Sequence, residues 1–392
     1  PQSPQIFKQL LMVGGMERYY QVARCFRDED GRADRQPEFT QFDMEMSFIE
    51  PEDIQSVVEG AFANVFKKYM HIDLQLPLPR ITWKDAMYQY GSDKPDTRFE
   101  MRIQVINDEL QNCGFSVFET ALQNNGIICA INVENGADIS RKQIDKLQEF
   151  AKTYHVNGLA YIKVQEDGEI KSSLSKVLSD TTIANIIEKL HVKKGDMAFI
   201  IADKELVALT AMGQLRLHIA KERNMIDKNK YNLLWVTEFP LLEWDEEANR
   251  FVAMHHPFTS PLPADFDMMD VDPGKVRANA YDLVLNGIEM GSGSIRIHKS
   301  DLQAKMFKML GFTEEEANTK FGFLLEAFKY GTPPHGGFAF GIDRMVMVLM
   351  GADSLRDVIA FPKIQNGNCL MMNTPSAVHE EQLNVLKLKI QE

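Results

Sequence analysis

YYQVARCFRDEDGRADRQPEFTQFDMEMSF, residues 19–48, contains two strand-like runs joined by a charged loop. In the return run Phe42, Met44, Met46 and Phe48 share one parity, while Gln41, Asp43, Glu45 and Ser47 share the other. Side chains alternate across a strand, so one face is core and the other polar. In the incoming run Gln21, Ala23, Cys25, Arg27 and Glu29 are likewise of one parity. Paired as a hairpin, the runs gather charge on one sheet surface. For a single hairpin a solvated face is the ordinary explanation, but three more loaded segments argue for a site.

The first is ANAYDLVLNGIEMGSGSIRIH, residues 278–298, where Asn286-Gly287 between apolar runs signals a two-residue hairpin turn. Such a turn sets Leu285 against Ile288, Val284 against Glu289 and Asp282 against Gly291. Asp282 and Glu289 then become diagonal neighbours able to share a divalent cation. Gly291 and Gly293 would leave a flat floor for a planar ligand or phosphates. Arg296 has the wrong parity for that face, so a bulge at the glycines is expected. The second segment is GGFAFGIDRMVMVLMG, residues 336–351, a strand running into an apolar helix with Asp343 and Arg344 at the junction. An arginine in a first helical turn opposes the helix dipole, and either a bound phosphate or a nearby acid would account for it. The third is AMHHPFTSP, residues 253–261; its His255-His256 pair matches no metal-binding spacing.

Composition narrows the class. At 392 residues the chain is long enough for two domains. Its 44% hydrophobic and 25% charged content is that of a globular protein, and no run approaches the ~18 apolar residues of a membrane helix. Cys25, Cys113, Cys129 and Cys369 lie far apart without a CxxC pair, which suggests neither zinc site nor disulfide framework and suits a reducing cytoplasm. A net charge of −13 argues against indiscriminate nucleic-acid binding, so a polyanion would have to meet a local patch. The opening PQSPQIFKQLL has neither initiator methionine nor leader and reads as the start of a fragment.

Residues 1–100 and 229–392 are rich in aromatic residues, glycine, proline and strand patterns, and read as two parts of one domain. Residues 101–228 have a different texture and read as an inserted, smaller α+β domain. There ISRKQIDKLQEFAKTYH forms an amphipathic helix behind a Ser140 cap, GLAYIKV a strand, TTIANIIEKLHV a second helix and DMAFIIAD another strand. After it, LLWVTEFPLLEW and RFVAMHHPF read as long strands, and EEEANTKFGFLLEAFKYG as a helix stopped at Gly331.

FRDEDGRADRQPEFTQ and GGFAFGIDR resemble motifs 2 and 3 of the class II aminoacyl-tRNA synthetases. PQSPQIFKQLL, YGSDKPDTR, AMHHPFTSP, NAYDLVLNGIEMGSGSIRIH, FGFLLEAFKYGTPPHGG and DVIAFPK narrow the resemblance to the bacterial-type aspartyl-tRNA synthetases. It implies an α+β fold with an antiparallel sheet flanked by helices, and ATP-dependent activation of L-aspartate followed by transfer to tRNA(Asp), with tRNA(Asn) an open possibility. On this resemblance Arg27 and Arg344 are catalytic. Arg27, Asp28, Glu29, Gln36, Phe39, Glu289, Gly341, Ile342, Asp343 and Arg344 bind ATP, and Asp282 and Glu289 hold Mg2+. Gln5, Ile6, Phe7, Lys8, Arg27, Gln41, Asp43, His255 and Arg296 form the aspartate pocket. The family also implies an N-terminal anticodon-binding barrel and a motif 1, hence a homodimer in a full-length protein. The alternatives are an aspartate–ammonia ligase on the same fold, an asparaginyl enzyme, which should lack the insertion, and a non-catalytic RNA-binding paralogue.

Overall fold

The alternation in residues 19–48 folds as a hairpin. The computed structural model describes residues 3–28, 31 and 33–391. Its strands are β1 (Arg18–Phe26), β2 (Glu38–Ser47), β3 (Arg80–Thr82), β4 (Gln104–Val105), β5 (Ile127–Val133), β6 (Ala160–Val164), β7 (Ile170–Ser172), β8 (Met197–Asp203), β9 (Leu233–Thr237), β10 (Leu242–Asp245), β11 (Arg250–Ala253), β12 (Ala280–Leu285), β13 (Ile288–Ile295) and β14 (His335–Gly341). Seven form one sheet in the order β1-β2-β14-β13-β12-β9-β3, and five form another in the order β4-β5-β8-β6-β7. The large sheet is antiparallel at β1–β2, β2–β14, β14–β13 and β12–β9, and β3 joins β9 in parallel. By packing, the chain divides into two compact units: Pro1–Pro77, Trp244–Ser260 and Met290–Glu392, and Leu78–Glu243 with Pro261–Glu289.

In the first unit, register decides which residues share a face. Gln21 lies opposite Asp43 and Ala23 opposite Gln41. Asp43 pairs with Ala339 and Glu45 with Gly337, and these pair with Ser292 and Ser294. Facing partners project the same way, so this is the polar face. The next row carries Tyr20, Phe42 and Phe340, whose rings stack at 5.7 and 5.2 Å, with Phe62 of the helix Pro51–Val65 edge-on at 5.4 Å. That row lies on the core face, which is closed over Met44 and Phe338 but open at Tyr20, 73% exposed.

Three expectations need correcting. Pairing of β13 with β14 runs unbroken from Gly291 to Ile295, so there is no bulge on that side. Gly291 and Gly293 oppose Phe340 and Phe338 and therefore belong to the core face, not to a polar floor. A Cβ on Gly291 would come within 2.6 Å of the Phe338 ring and 2.7 Å of Phe340 Cβ, so that glycine makes room for aromatic rings. Arg296 reaches the polar face by ordinary alternation with Ser294, and its N–H continues the ladder to the His335 carbonyl at 2.9 Å. The long strands read in residues 233–258 are also shorter than expected. Glu238 sits at φ 56° and Pro240 has no N–H to offer, so β9 stops at Thr237.

In the second unit β5 and β8 are almost wholly buried because two cores sandwich them. Ile127, Cys129, Ile131 and Val133 join one core with Ile144 and Leu147 of the Ser140-capped helix Arg141–Lys152 and Leu215 of the helix Glu205–Glu222. Ile128 and Ala130 join the other with Ile183 and Ile186 of the helix Asp180–Lys189. Asn286 and Gly287, at φ 55° and 86°, make the left-handed turn that the Asn-Gly pair signals. Among the described residues no helix is long and apolar enough to cross a membrane.

YGSDKPDTR acquires a structural reason here. Asp96 takes Arg98 on both oxygens, at 3.0 and 2.6 Å. The buried Arg216 guanidinium donates to the carbonyls of Asp96, Phe99, Glu100 and Met101 at 2.9–3.1 Å and lies 3.8 Å from the Phe99 ring centroid. Arg216→Leu strands those carbonyls and should cost about 2–4 kcal/mol in urea unfolding. Wild-type stability in that variant would remove the clamp from the account.

Candidate active site

The helix Gln5–Val13 has two stripes. Ile6, Leu10 and Val13, at i, i+4 and i+7, pack on Phe258, Phe307, Leu324 and Phe328. That apolar stripe fixes the roll of the helix and buries Lys8, Gln9 and Met12 on its other side. Lys8 Nζ then lies 2.7 Å from Asp43 Oδ1 and 3.1 Å from Glu45 Oε2. Glu45 in turn accepts from Arg296 Nε at 2.9 Å and Nη2 at 3.2 Å. None of the four exceeds 3% exposure. Two cations thus balance two carboxylates out of contact with water. Gly337 lies beneath Glu45, and any Cβ there would run into the carboxylate.

The two acids respond oppositely. Burial would raise the Glu45 pKa, but Arg296 and Lys8 outweigh it and bring it down to about 2. Burial dominates at Asp43 and raises its pKa despite Lys8. Asp43 Oδ2 is buried and makes no hydrogen bond among the described residues.

Arg296 Nη1 faces Ser294 Oγ and, at 2.7 Å, His256 Nε2. His256 Nδ1 lies 3.2 Å from the Phe258 N–H. Burial first, then Arg296, Lys8 and His255, push His256 well below its ordinary pKa, so the ring is neutral. A neutral imidazole has one acceptor nitrogen. With donors at both nitrogens, one contact sets donor against donor, and an added acceptor would relieve it.

The other expected residues fall into several groups. Gln41 Oε1 accepts from Cys25 Sγ at 3.2 Å on the polar face. Ile6 packs in the apolar cluster, Phe7 is 52% exposed and His255 is half-buried. The Arg27 guanidinium lies 5.1 Å from the Phe39 ring centroid, and Asp28 is exposed. Glu29 lies outside the described residues. Gly341 caps the helix Ile342–Leu349; Asp343 accepts from the Thr40 N–H at 2.8 Å. Arg344 donates to the Asp34 carbonyl at 3.1 Å and lies 3.6 Å from its carboxylate, so an acid does stand beside it. The Gln36 carboxamide is paired with the main chain of Lys363, accepting at 2.8 Å and donating at 3.2 Å. In the second unit Asp282 is buried on β12 and Glu289 half-buried on β13.

Glu45, His256, Gln9 and His335 were not assigned from sequence. The shared parity of Glu45 with Asp43 could have placed the first; the others need the fold.

The family described as tRNA synthetases class II (D, K and N) matches residues 1–365. An aspartate–tRNA(Asp/Asn) ligase of Caldanaerobacter subterraneus subsp. tengcongensis is 55% identical over 390 residues, covering 100% of this chain and 66% of its own length. An aspartate–tRNA ligase of Ruminiclostridium cellulolyticum is 54% identical with the same coverage. The chain therefore spans about 66% of the length of the curated relatives it matches. A solved aspartyl tRNA synthetase from Entamoeba histolytica aligns with 92% of this chain and 51% of its own at 18% identity and TM-score 0.45.

Glu45→Gln leaves Lys8 and Arg296 sharing one carboxylate and should cost about 3 kcal/mol near neutral pH. Because the Glu45 pKa is depressed, its contribution is whole above about 4.5 and fades as pH falls toward about 2. Asp43, with a raised pKa, contributes in the opposite sense: its stabilisation is present below 3.8 and is lost as pH rises through its folded value. Urea melts should show the gap between wild type and Glu45→Gln closing with acidification; a gap independent of pH would contradict this.

Proposed function

The chain belongs to the class II tRNA synthetases (D, K and N), and from that premise we propose that it activates L-aspartate with ATP and transfers the aspartyl group to the 3′ end of tRNA(Asp) or tRNA(Asn). The buried Lys8–Asp43–Glu45–Arg296 network, with neutral His256 at its edge, carries this reading. Its fixed donors suit a side-chain carboxylate. An oxygen between Arg296 Nη1 and His256 accepts from both, whereas an asparagine amide turned the other way would add a third donor. Asp43 Oδ2 supplies an acceptor for the substrate ammonium.

In activation, a substrate carboxylate oxygen attacks the α-phosphorus, the bond to the bridging oxygen breaks and pyrophosphate leaves. Two anions must approach, so the protein's task is positioning and charge compensation rather than nucleophilic attack. Arg27, at the open end of β1, is suited to hold the carboxylate against the α-phosphate. Phe39 offers a face for adenine once the Arg27 guanidinium turns to phosphate, and Arg344 takes the distal phosphates. A ribose hydroxyl of the tRNA then displaces AMP from the aspartyl carbonyl.

Magnesium fits the donor chemistry of Asp282 and Glu289, because Mg2+ is commonly held by one or two carboxylates together with substrate phosphates. Among the described residues no three acidic, histidine or cysteine side chains converge to hold a metal unaided. Bound there, the ion would neutralise phosphate charge. The relatives' printed names favour a tRNA ligase over an ammonia ligase. The described cysteines are unbonded, which suits the cytoplasm, and a homodimer is what the family resemblance implies for a full-length protein.

Aspartate-dependent exchange of pyrophosphate into ATP tests the reading. Arg27→Ala should lower exchange by about a hundredfold or more, and asparagine should not replace aspartate. Near wild-type exchange by the variant would refute the role of Arg27, and equal use of asparagine would refute the carboxylate selection.

A further inference from the structure

Under the helix Gln5–Val13 polar side chains link His335 to Gln9 and Gln9 to Gln5, and a group that can only accept fixes the direction of the row. The Pro333 carbonyl lies 2.8 Å from His335 Nδ1. A carbonyl cannot donate, so Nδ1 carries the proton and Nε2 of the neutral ring is an acceptor. Burial holds His335 below its ordinary pKa; Glu45 and the Pro333 carbonyl pull the other way, while Arg296 and His298 act with burial. Gln9 Nε2 lies 3.5 Å from His335 Nε2. Gln9 therefore turns its amino group to His335 and its oxygen away. That oxygen accepts from Gln5 Nε2 at 3.1 Å. With its amino group engaged, Gln5 has its Oε1 on the other side, where it accepts no hydrogen bond among the described residues. His335 and Gln9 are fully buried, and Gln5 stands one turn from Lys8.

We propose that His335 and Gln9 are positioning residues that hold the Gln5 carboxamide oxygen toward the substrate, making that corner of the site an acceptor for an ammonium group. This rests on reading the site as one for aspartate, and adds how the amino end is recognised. An ammonium has only donors, so the reversed amide would oppose donor to donor. The relay fixes which end of the Gln5 amide is offered, through groups that never touch substrate. It also separates an amino acid from a dicarboxylate of similar length without an amino group.

Calorimetric titration of this chain with L-aspartate and with succinate, which keeps both carboxylates and lacks the ammonium, tests the relay. Gln9→Leu removes the acceptor that orients Gln5, so aspartate affinity should fall about tenfold with succinate affinity held within about twofold. Nitrogen chemical shifts of the wild-type histidines should show His335 as the Nδ1–H tautomer, a readout that depends on no variant. An Nε2–H tautomer, or Gln9→Leu affecting both ligands equally or neither, overturns the relay and leaves the aspartate reading standing. Wild-type chain that binds neither ligand overturns both.

Discussion

Two cations and two carboxylates held out of water on one face of a sheet are the constraint on which the first unit depends. Removing one member would leave a buried charge uncompensated, so Lys8, Asp43, Glu45 and Arg296 stand or fall together. Such networks are weak stabilisers compared with apolar packing of the same volume, because desolvation offsets most of the attraction. Their value lies in orientation. Glu45 holds Arg296 through Nε and Nη2, which leaves Nη1 fixed at the edge beside His256. A donor fixed before a ligand arrives loses little further freedom when it binds.

The surrounding fold supplies what the network cannot. Ile6, Leu10 and Val13 anchor the covering helix by apolar contact alone, and this sets the depth at which Lys8 meets the acids. Gly337 gives Glu45 its space. On the opposite face buried Met44, Phe338 and Phe62, with half-buried Phe42 and Phe340 stacked beside them, provide the burial that stabilises the sheet. Strand alternation separates the two tasks, so polar residues one position from the core do not disturb it.

What the sequence made legible was local. Period-2 alternation in residues 19–48 gives the correct polar face, Ser140 begins its helix, and Asn286-Gly287 turns as its residue types require. The errors arose where an inference crossed strands. The face of Gly291 and Gly293 depends on which β14 residues they oppose, and only the register of a distant segment decides that. Gln36 meets Lys363, and Arg216 closes a loop more than a hundred positions earlier in the chain; no periodicity encodes either contact. Of the two adjacent histidines, the chain bend before Pro257 brings His256 to Arg296. Spacing does not choose between them.

The most direct measurement is a crystal structure of this chain with L-aspartate bound. The side-chain carboxylate should lie within hydrogen-bonding distance of Arg296 and close to His256, with Glu45 still on the far edge of the guanidinium and Lys8 still bridging both acids. Aspartate bound away from this face, or a bound state in which Glu45 has let go of Arg296, would contradict this.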